Sequence, residues 1–428
     1  MTLAIFLLSI FTVYIIISGI YILKKNILFG GVYFFLFIYS IFSQIGYFFL
    51  PELSELIYAY FGEKYFYSFY FFNFLSFLSF FSVFYFAYPY LKKMRKYELV
   101  RSKPSSRNYI LFLVFVIVLL VFLFSFLLLK WNEITYENSY DDEFVYNQGL
   151  IYRIFAMGFK FMVPLNLMLY VQFRGKLLFP TISFFKRSWV FILLTASSLI
   201  FIIIANKNGS RTDIVAYFLG ILVFELAMGI NFKKVLRLMT VGVITTCFLV
   251  YLENTRTEST QTEVPLIQQV VYKDYYPPAH ILYAAIAYNY VNPLEVVISN
   301  TANTFILIKH PYLQASVMDL FIKGTATRSS SYAFYFFTEG FIFMGFLGFI
   351  YNGLVLFFAL SVWYLIQNTN NKFYNYLLLS VMCTQFANIA RSQSSYFYKD
   401  IYMIFMPLML LIYLSSGLRP KIKMGAFK

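Results

Sequence analysis

The stretch NYILFLVFVIVLLVFLFSFLLL, residues 108–129, runs for 22 positions without a charge. About 20 apolar residues carry an α-helix across a bilayer, where each backbone amide must be bonded within its own segment. Residues 108–129 are therefore read as a membrane helix. The same length, scanned outward, finds further apolar runs at 2–23, 27–50, 66–91, 149–173, 188–206, 212–230, 236–252, 332–366, 374–390 and 401–416. That makes about eleven crossings, with 332–366 taken as one long or broken helix. The 428 residues are 61% hydrophobic and only 12% charged, against roughly 25% charged in soluble proteins. A soluble enzyme is excluded. The expected fold is an all-α polytopic membrane protein, a single integral membrane domain over 1–428.

The formal charge is +15, from 34 Lys and Arg against 19 Asp and Glu. In a soluble chain this would raise the question of a nucleic-acid partner; in a membrane protein it is read as orientation. The segments after crossings 1, 3, 5, 7 and 9, with the C-terminal tail, hold 21 of the cations and Glu98 as their one anion, a balance of +20. The other 13 cations and 18 anions sum to −5. Basic residues are retained on the cytoplasmic side, so the expected N-terminus is outside and the C-terminus inside. The first 23 residues are apolar and lack a basic leader or small-residue cleavage site, and Lys24 and Lys25 follow them. A retained first helix is expected there rather than a signal peptide.

This orientation puts the acidic loop 130–148 and the segment 253–331, between crossings 8 and 9, outside. The second is too long for an idle connector. Within it PPAHILYAAIAYNYVNP (277–293) and EVVISNTANTFILI (295–308) are apolar enough for short helices on or in the membrane face.

Charges where orientation gives no reason for them mark the candidate site. Arg153 and Lys160 share one face of the fifth crossing, seven residues apart. A charge near the bilayer centre costs about 2.5–3.5 kcal/mol and usually faces a cavity and a partner, although Arg153 can also snorkel to the nearby surface. NKNGSRTD (206–213) carries Arg211 after Gly209, with Ser210 or Thr212 placed to cap the next helix. Arg256, Arg328 and Arg391 complete a set of arginines at external helix ends. Scattered surface cations explain one or two of them; the clustering points to an outward anion-binding cavity, and a diphosphate is the anion that arginine forks suit best. The chain has no nucleotide-binding GxxxxGK[ST], no HExxH and no CxxC. Cys247 and Cys383 lie inside apolar runs and are read as core residues.

At these residues the chain resembles the oligosaccharide repeat-unit polymerases (Wzy type, serving O-antigen, capsule and enterobacterial common antigen). The similarity lies in IYRIFAMGFKFMVPLNLMLY, NGSRTDIVAYFLGILVFE, DYYPPAHILYAAI, TEGFIFMGFLGFIYNG and FANIARSQSSYFYKDIYMIFMPLM, which cover roughly the second half of the chain. The resemblance implies a GT-C-like glycosyltransferase of the bacterial cytoplasmic (inner) membrane, with neither metal nor cofactor. Such an enzyme transfers a glycan from undecaprenyl diphosphate to a hydroxyl of a second lipid-linked repeat unit, and works beside a chain-length regulator and a flippase of the same pathway. Arg153, Lys160, Arg211, Arg256, Arg328 and Arg391 would then bind the diphosphate and substrate. Asp274, His280 and Glu339 are the candidates for the catalytic base, left open among the three. Two alternatives stay open as well: an O-antigen ligase-like transferase, and a lipid-linked oligosaccharide flippase.

Overall fold

The computed structural model describes residues 2–42, 63–94, 98–101, 106–134, 149–174, 184–208, 211–229, 277–305, 334–390, 392–416 and 418–421, together with residues 240, 313 and 317. In chain order the elements are α1 (Thr2–Lys25), α2 (Ile27–Phe37, running into a π turn Ile38–Phe42), α3 (Glu63–Lys93), β1 (Glu98–Arg101), α4 (Ser106–Leu129), α5 (Gly149–Phe173), α6 (Phe184–Asn208) and α7 (Arg211–Ala227). They continue as α8 (Pro277–Ala287), α9 (Pro293–Phe305), α10 (Phe336–Met344), α11 (Gly348–Gln367), α12 (Lys372–Thr384), α13 (Phe386–Ala390), α14 (Ser395–Asp400, then a π turn Ile401–Phe405), α15 (Met406–Ser416) and β2 (Leu418–Lys421).

Six stretches among the described residues are long and apolar enough to cross a membrane: Tyr67–Lys93, Ile110–Leu129, Ile154–Phe173, Ser188–Asn208, Phe336–Gln367 and Ser395–Leu414. The chain is thus a multi-pass, all-α membrane protein apart from one short strand pair. Of the other expected crossings, 236–252 lies outside the described residues but for residue 240, while α7 and α12 reach only 17 and 13 residues.

Packing divides the chain into two units, each interleaved along the sequence. Unit 1 comprises Met1–Met94, Glu263–Tyr364 and Phe386–Lys399. Its first two helices form a hairpin across a single residue, Asn26, whose side-chain oxygen accepts from the amides of Leu28 (2.8 Å) and Phe29 (3.3 Å) and so caps α2. Ser18 and Tyr33, on opposite arms, share a 2.6 Å hydrogen bond. The core is aromatic: Phe69, Phe72, Phe77, Phe80 and Phe84 of α3 are all buried. Phe77 meets Tyr33 at 4.9 Å and Phe337 at 5.1 Å, and Phe69 stacks on Tyr283 at 4.0 Å. Each such pair is worth about 0.5–1.5 kcal/mol beyond its buried area. Helix α8, anticipated at the membrane face, is instead part of this core, with Ile281 to Ile286 buried against α3 and α10.

Unit 2 comprises Arg95–Thr262, Leu365–Gln385 and Asp400–Lys428. Its centre is α5, buried from Phe161 through Leu169 and packed against α6, α7 and α12. Gly220 permits the close approach of α7, because a Cβ there would stand 2.6 Å from Leu167 and 3.1 Å from Thr384. At one end Glu225 accepts from Tyr170 (2.7 Å) and pairs with Arg174 (3.1 Å), so a buried carboxylate is matched by a cation. Strands β1 and β2 pair antiparallel, Glu98 opposite Lys421 and Arg101 opposite Leu418. That ladder places the N-terminal end of α4 and the C-terminal end of α15 on the same side.

Candidate functional site

The run 332–366 is not one continuous helix. At Gly345 the backbone takes φ +59°, in the left-handed region that glycine tolerates best, and α10 reverses into α11. Hydrogen bonds across the bend record the reversal. Tyr351 donates to Glu339 (2.6 Å) and the Asn352 amide to the Phe337 carbonyl (3.0 Å), across separations of 12 and 15 residues. In a straight helix those intervals would span about 18 and 22 Å. Two glycines let the arms close: a Cβ on Gly348 would lie 1.8 Å from the Gly340 carbonyl oxygen, and one on Gly340 would lie 2.4 Å from that of Gly348.

This hairpin buries Glu339, in the first turn of α10, completely. Its Oε1 accepts from Asn300 of α9 (2.7 Å), from Tyr351 of α11 (2.6 Å) and from the Ser394 hydroxyl (2.7 Å). Its Oε2 accepts from the Ser394 backbone N–H (2.6 Å). Four donors on one carboxylate offset the desolvation that would otherwise forbid a buried charge.

The neighbouring Gln393 extends the cluster. Its Oε1 accepts from the Leu313 amide (3.3 Å), and its Nε2 donates to Ser299 of α9 (3.3 Å) and to Ser395 (3.0 Å). Segment 392–395 is therefore clasped to α9, to residue 313 and to α10. Deeper in unit 1, Tyr335 donates to Asn73 (2.6 Å) and Asn352 to Ser76 (3.1 Å), which ties the hairpin to α3. Asn300 Oδ1 and Thr338 Oγ1 are buried acceptors with no hydrogen-bond partner among the described residues. Where α8 passes to α9, Tyr290 donates to Glu295, and burial followed by that carboxylate pushes its hydroxyl up to about 12.

The expected site residues divide into three groups. Glu339 is the focus of the cluster. Asp274, Arg256, Arg328 and Arg391 lie outside the described residues. Of Arg153, Arg211 and His280 the backbone positions are described: an early turn of α5, the first residue of α7, and the first turn of α8. Lys160, expected to face a cavity, is exposed on the side of α5 that carries Ile154 and Met157, so the Arg153–Lys160 face is not a buried one at Lys160. Gly209 and Ser210, which stand between α6 and α7 in the sequence, lie outside the described residues. At the end of α6, Lys207 lies 4.0 Å over the Trp131 ring. Asn300, Tyr351, Gln393 and Ser394 were not anticipated. Only the polar residues of ARSQSSYF within an apolar surrounding signalled the last two.

Among the described residues no three His, Cys, Asp or Glu side chains converge on a common point. No protein-family model, curated protein or solved structure matches the chain significantly.

Proposed function

We propose that the protein is a membrane glycosyltransferase that polymerises lipid-linked repeat units. It takes a glycan from its undecaprenyl diphosphate carrier and passes it to a hydroxyl of a second unit on the outer side of a bacterial cytoplasmic membrane. The observation that carries this reading is the Glu339 clasp. A wholly buried carboxylate joins the helix α9 of the long external segment, the hairpin α10–α11 and the segment that directly follows Arg391. A buried carboxylate in so apolar a chain marks a functional site by default, and its partner Ser394 stands three positions after Arg391 in the sequence.

Departure of the diphosphate builds negative charge on the leaving group and positive charge at the anomeric carbon. Guanidinium groups, with Arg211 and Arg391 the foremost candidates in the sequence, stabilise that separation more in the transition state than in the ground state. With four donors already on its oxygens, Glu339 acts by placement. Proton removal from the acceptor hydroxyl falls to Asp274 or His280. Asn300 Oδ1 and Thr338 Oγ1, each costly while unpaired, suit the hydroxyls of a sugar.

The test is the glycan profile of cells lacking the protein. Single repeat units on the final acceptor support the reading. Long chains left on the carrier would assign the protein to ligation, and loss of all external glycan would assign it to flipping.

A further inference from the structure

The charge of the Glu339 clasp is unbalanced. Glu225, the buried carboxylate of unit 2, has Arg174 beside it at 3.1 Å. Glu339 forms no ion pair with a described Lys, Arg or His, and all four of its donors are neutral. A buried charge is normally paired. The orphan atoms beside it are oxygens as well: Asn300 Oδ1, Thr338 Oγ1 and Asn352 Oδ1, the last resting against Gly340. What the cluster offers a ligand is acceptors and negative charge.

The carboxylate lies one side chain below the surface. Glu339 is wholly buried, but Asn300 and Tyr351, both bonded to it, are partly exposed. The Tyr351 ring lies 4.8 Å from that of Phe343, which is also partly exposed. An aromatic pair edged by an amide and a phenolic hydroxyl suits a sugar, since the rings take its apolar C–H face and the polar groups take its hydroxyls. A charged substituent on that sugar would feel Glu339 through the protein. At an effective dielectric near 20, a unit charge about 7 Å away changes affinity more than tenfold, upward if it is positive and downward if it is negative.

We infer that Asn300, Tyr351 and Phe343, with Glu339 beneath them, form a sugar-selecting subsite that takes an amine-bearing sugar best, a neutral sugar next and an acidic sugar least. The subsite rests on the glycan-transfer reading above and adds a sugar class to it. Glu339 acts here as the specificity-determining charge.

Full-length protein in neutral detergent is titrated with β-1,4-linked trimers of glucosamine, glucose and glucuronic acid, in mildly acidic buffer that keeps the amines protonated, and binding is followed by calorimetry. The glucosamine trimer is expected to bind more than tenfold tighter than the glucose trimer, and the glucose trimer more than tenfold tighter than the glucuronate. The net charge of +15 favours the acid in any non-specific binding, so the reverse order reports the site. E339Q, which keeps the shape and removes the charge, should bring both ratios close to one. F343A should weaken all three trimers together by about tenfold and leave their order intact; it locates the subsite even where E339Q does not fold. E225Q, which removes a buried carboxylate from unit 2, should change neither ratio.

Acid-first or equal binding by wild type, an order that survives E339Q, unchanged affinities in F343A, or no binding of any trimer overturns the proposal. The glycan ladder of cells lacking the protein separates this result from the transfer reading. Ordered binding with an unchanged ladder supports the subsite and removes polymerisation, whereas an altered ladder with acid-first binding removes the subsite alone.

Discussion

Ser394 grips Glu339 with two groups at once: its backbone N–H reaches one carboxylate oxygen at 2.6 Å and its hydroxyl the other at 2.7 Å, across 55 positions of sequence. Ser394→Ala removes the hydroxyl and keeps the amide. The loss of one hydrogen bond to a charged acceptor should cost about 1.5–3 kcal/mol, read as a lower midpoint in thermal unfolding. Ser394→Thr, which restores the hydroxyl, should recover most of it. An S394A protein as stable as wild type would show that the clasp contributes nothing.

The α10–α11 hairpin rests on a contact that only glycine allows. In G348A the new methyl would sit 1.8 Å from a backbone carbonyl oxygen that cannot swing away. The expected penalty is at or above the upper end of ordinary overpacking, about 3 kcal/mol. Gly158→Ala is the control, since its nearest neighbour, the end of the Leu123 side chain, lies 3.2 Å away and can rotate. Fluorescence-detected size exclusion should show a monodisperse G158A and a depleted or aggregated G348A.

Tyr290 adds a pH dependence of defined sign. Its hydroxyl is raised from 10.0 to about 12, by burial first and then by the hydrogen bond to Glu295. The folded state holds the phenolic proton more tightly than the unfolded state, so its contribution is complete below pH 10 and is lost as pH rises toward 12. The stability difference between wild type and Tyr290→Phe should therefore be constant below pH 10 and shrink above it. A difference that grows in that window would contradict the assignment.

Arg211→Ala and Arg391→Ala are expected to insert and fold normally while abolishing chain lengthening, with single repeat units still reaching the final acceptor. Removing one preorganised donor to a leaving group costs about 10²–10³ in rate. Glycan ladders from cells carrying either variant provide the measurement. Long polymer of normal length from both would remove the diphosphate role.

Much of the architecture was legible in hydropathy, because in a bilayer the burden on a crossing segment is simply to be long and apolar. Residues 108–129, 149–173 and 188–206 correspond closely to α4, α5 and α6, and the short helices expected between 277 and 308 fall at 277–287 and 293–305. The α10–α11 reversal was not legible, since hydropathy counts residues along a line and carries no direction. It is written instead in Gly340, Gly345 and Gly348, whose meaning depends on which backbone faces which. Glu339 stood out as a carboxylate at a helix entrance. Its partners Asn300, Tyr351 and Ser394 did not, because uncharged polar residues of those types are common in membrane helices and only folding brings them to one point.

The two hydrogen bonds that tie the hairpin to α3 span 262 and 276 residues. Synthesis proceeds at about 5–20 residues per second, so Asn73 is made roughly 13–52 seconds before Tyr335. Meanwhile its amide group is satisfied within its own helix, donating to the Phe69 carbonyl at 2.9 Å, and only its side-chain oxygen waits. The early helices of unit 1 thus await a late partner, and assembly of this unit is timed by the arrival of the C-terminal third of the chain.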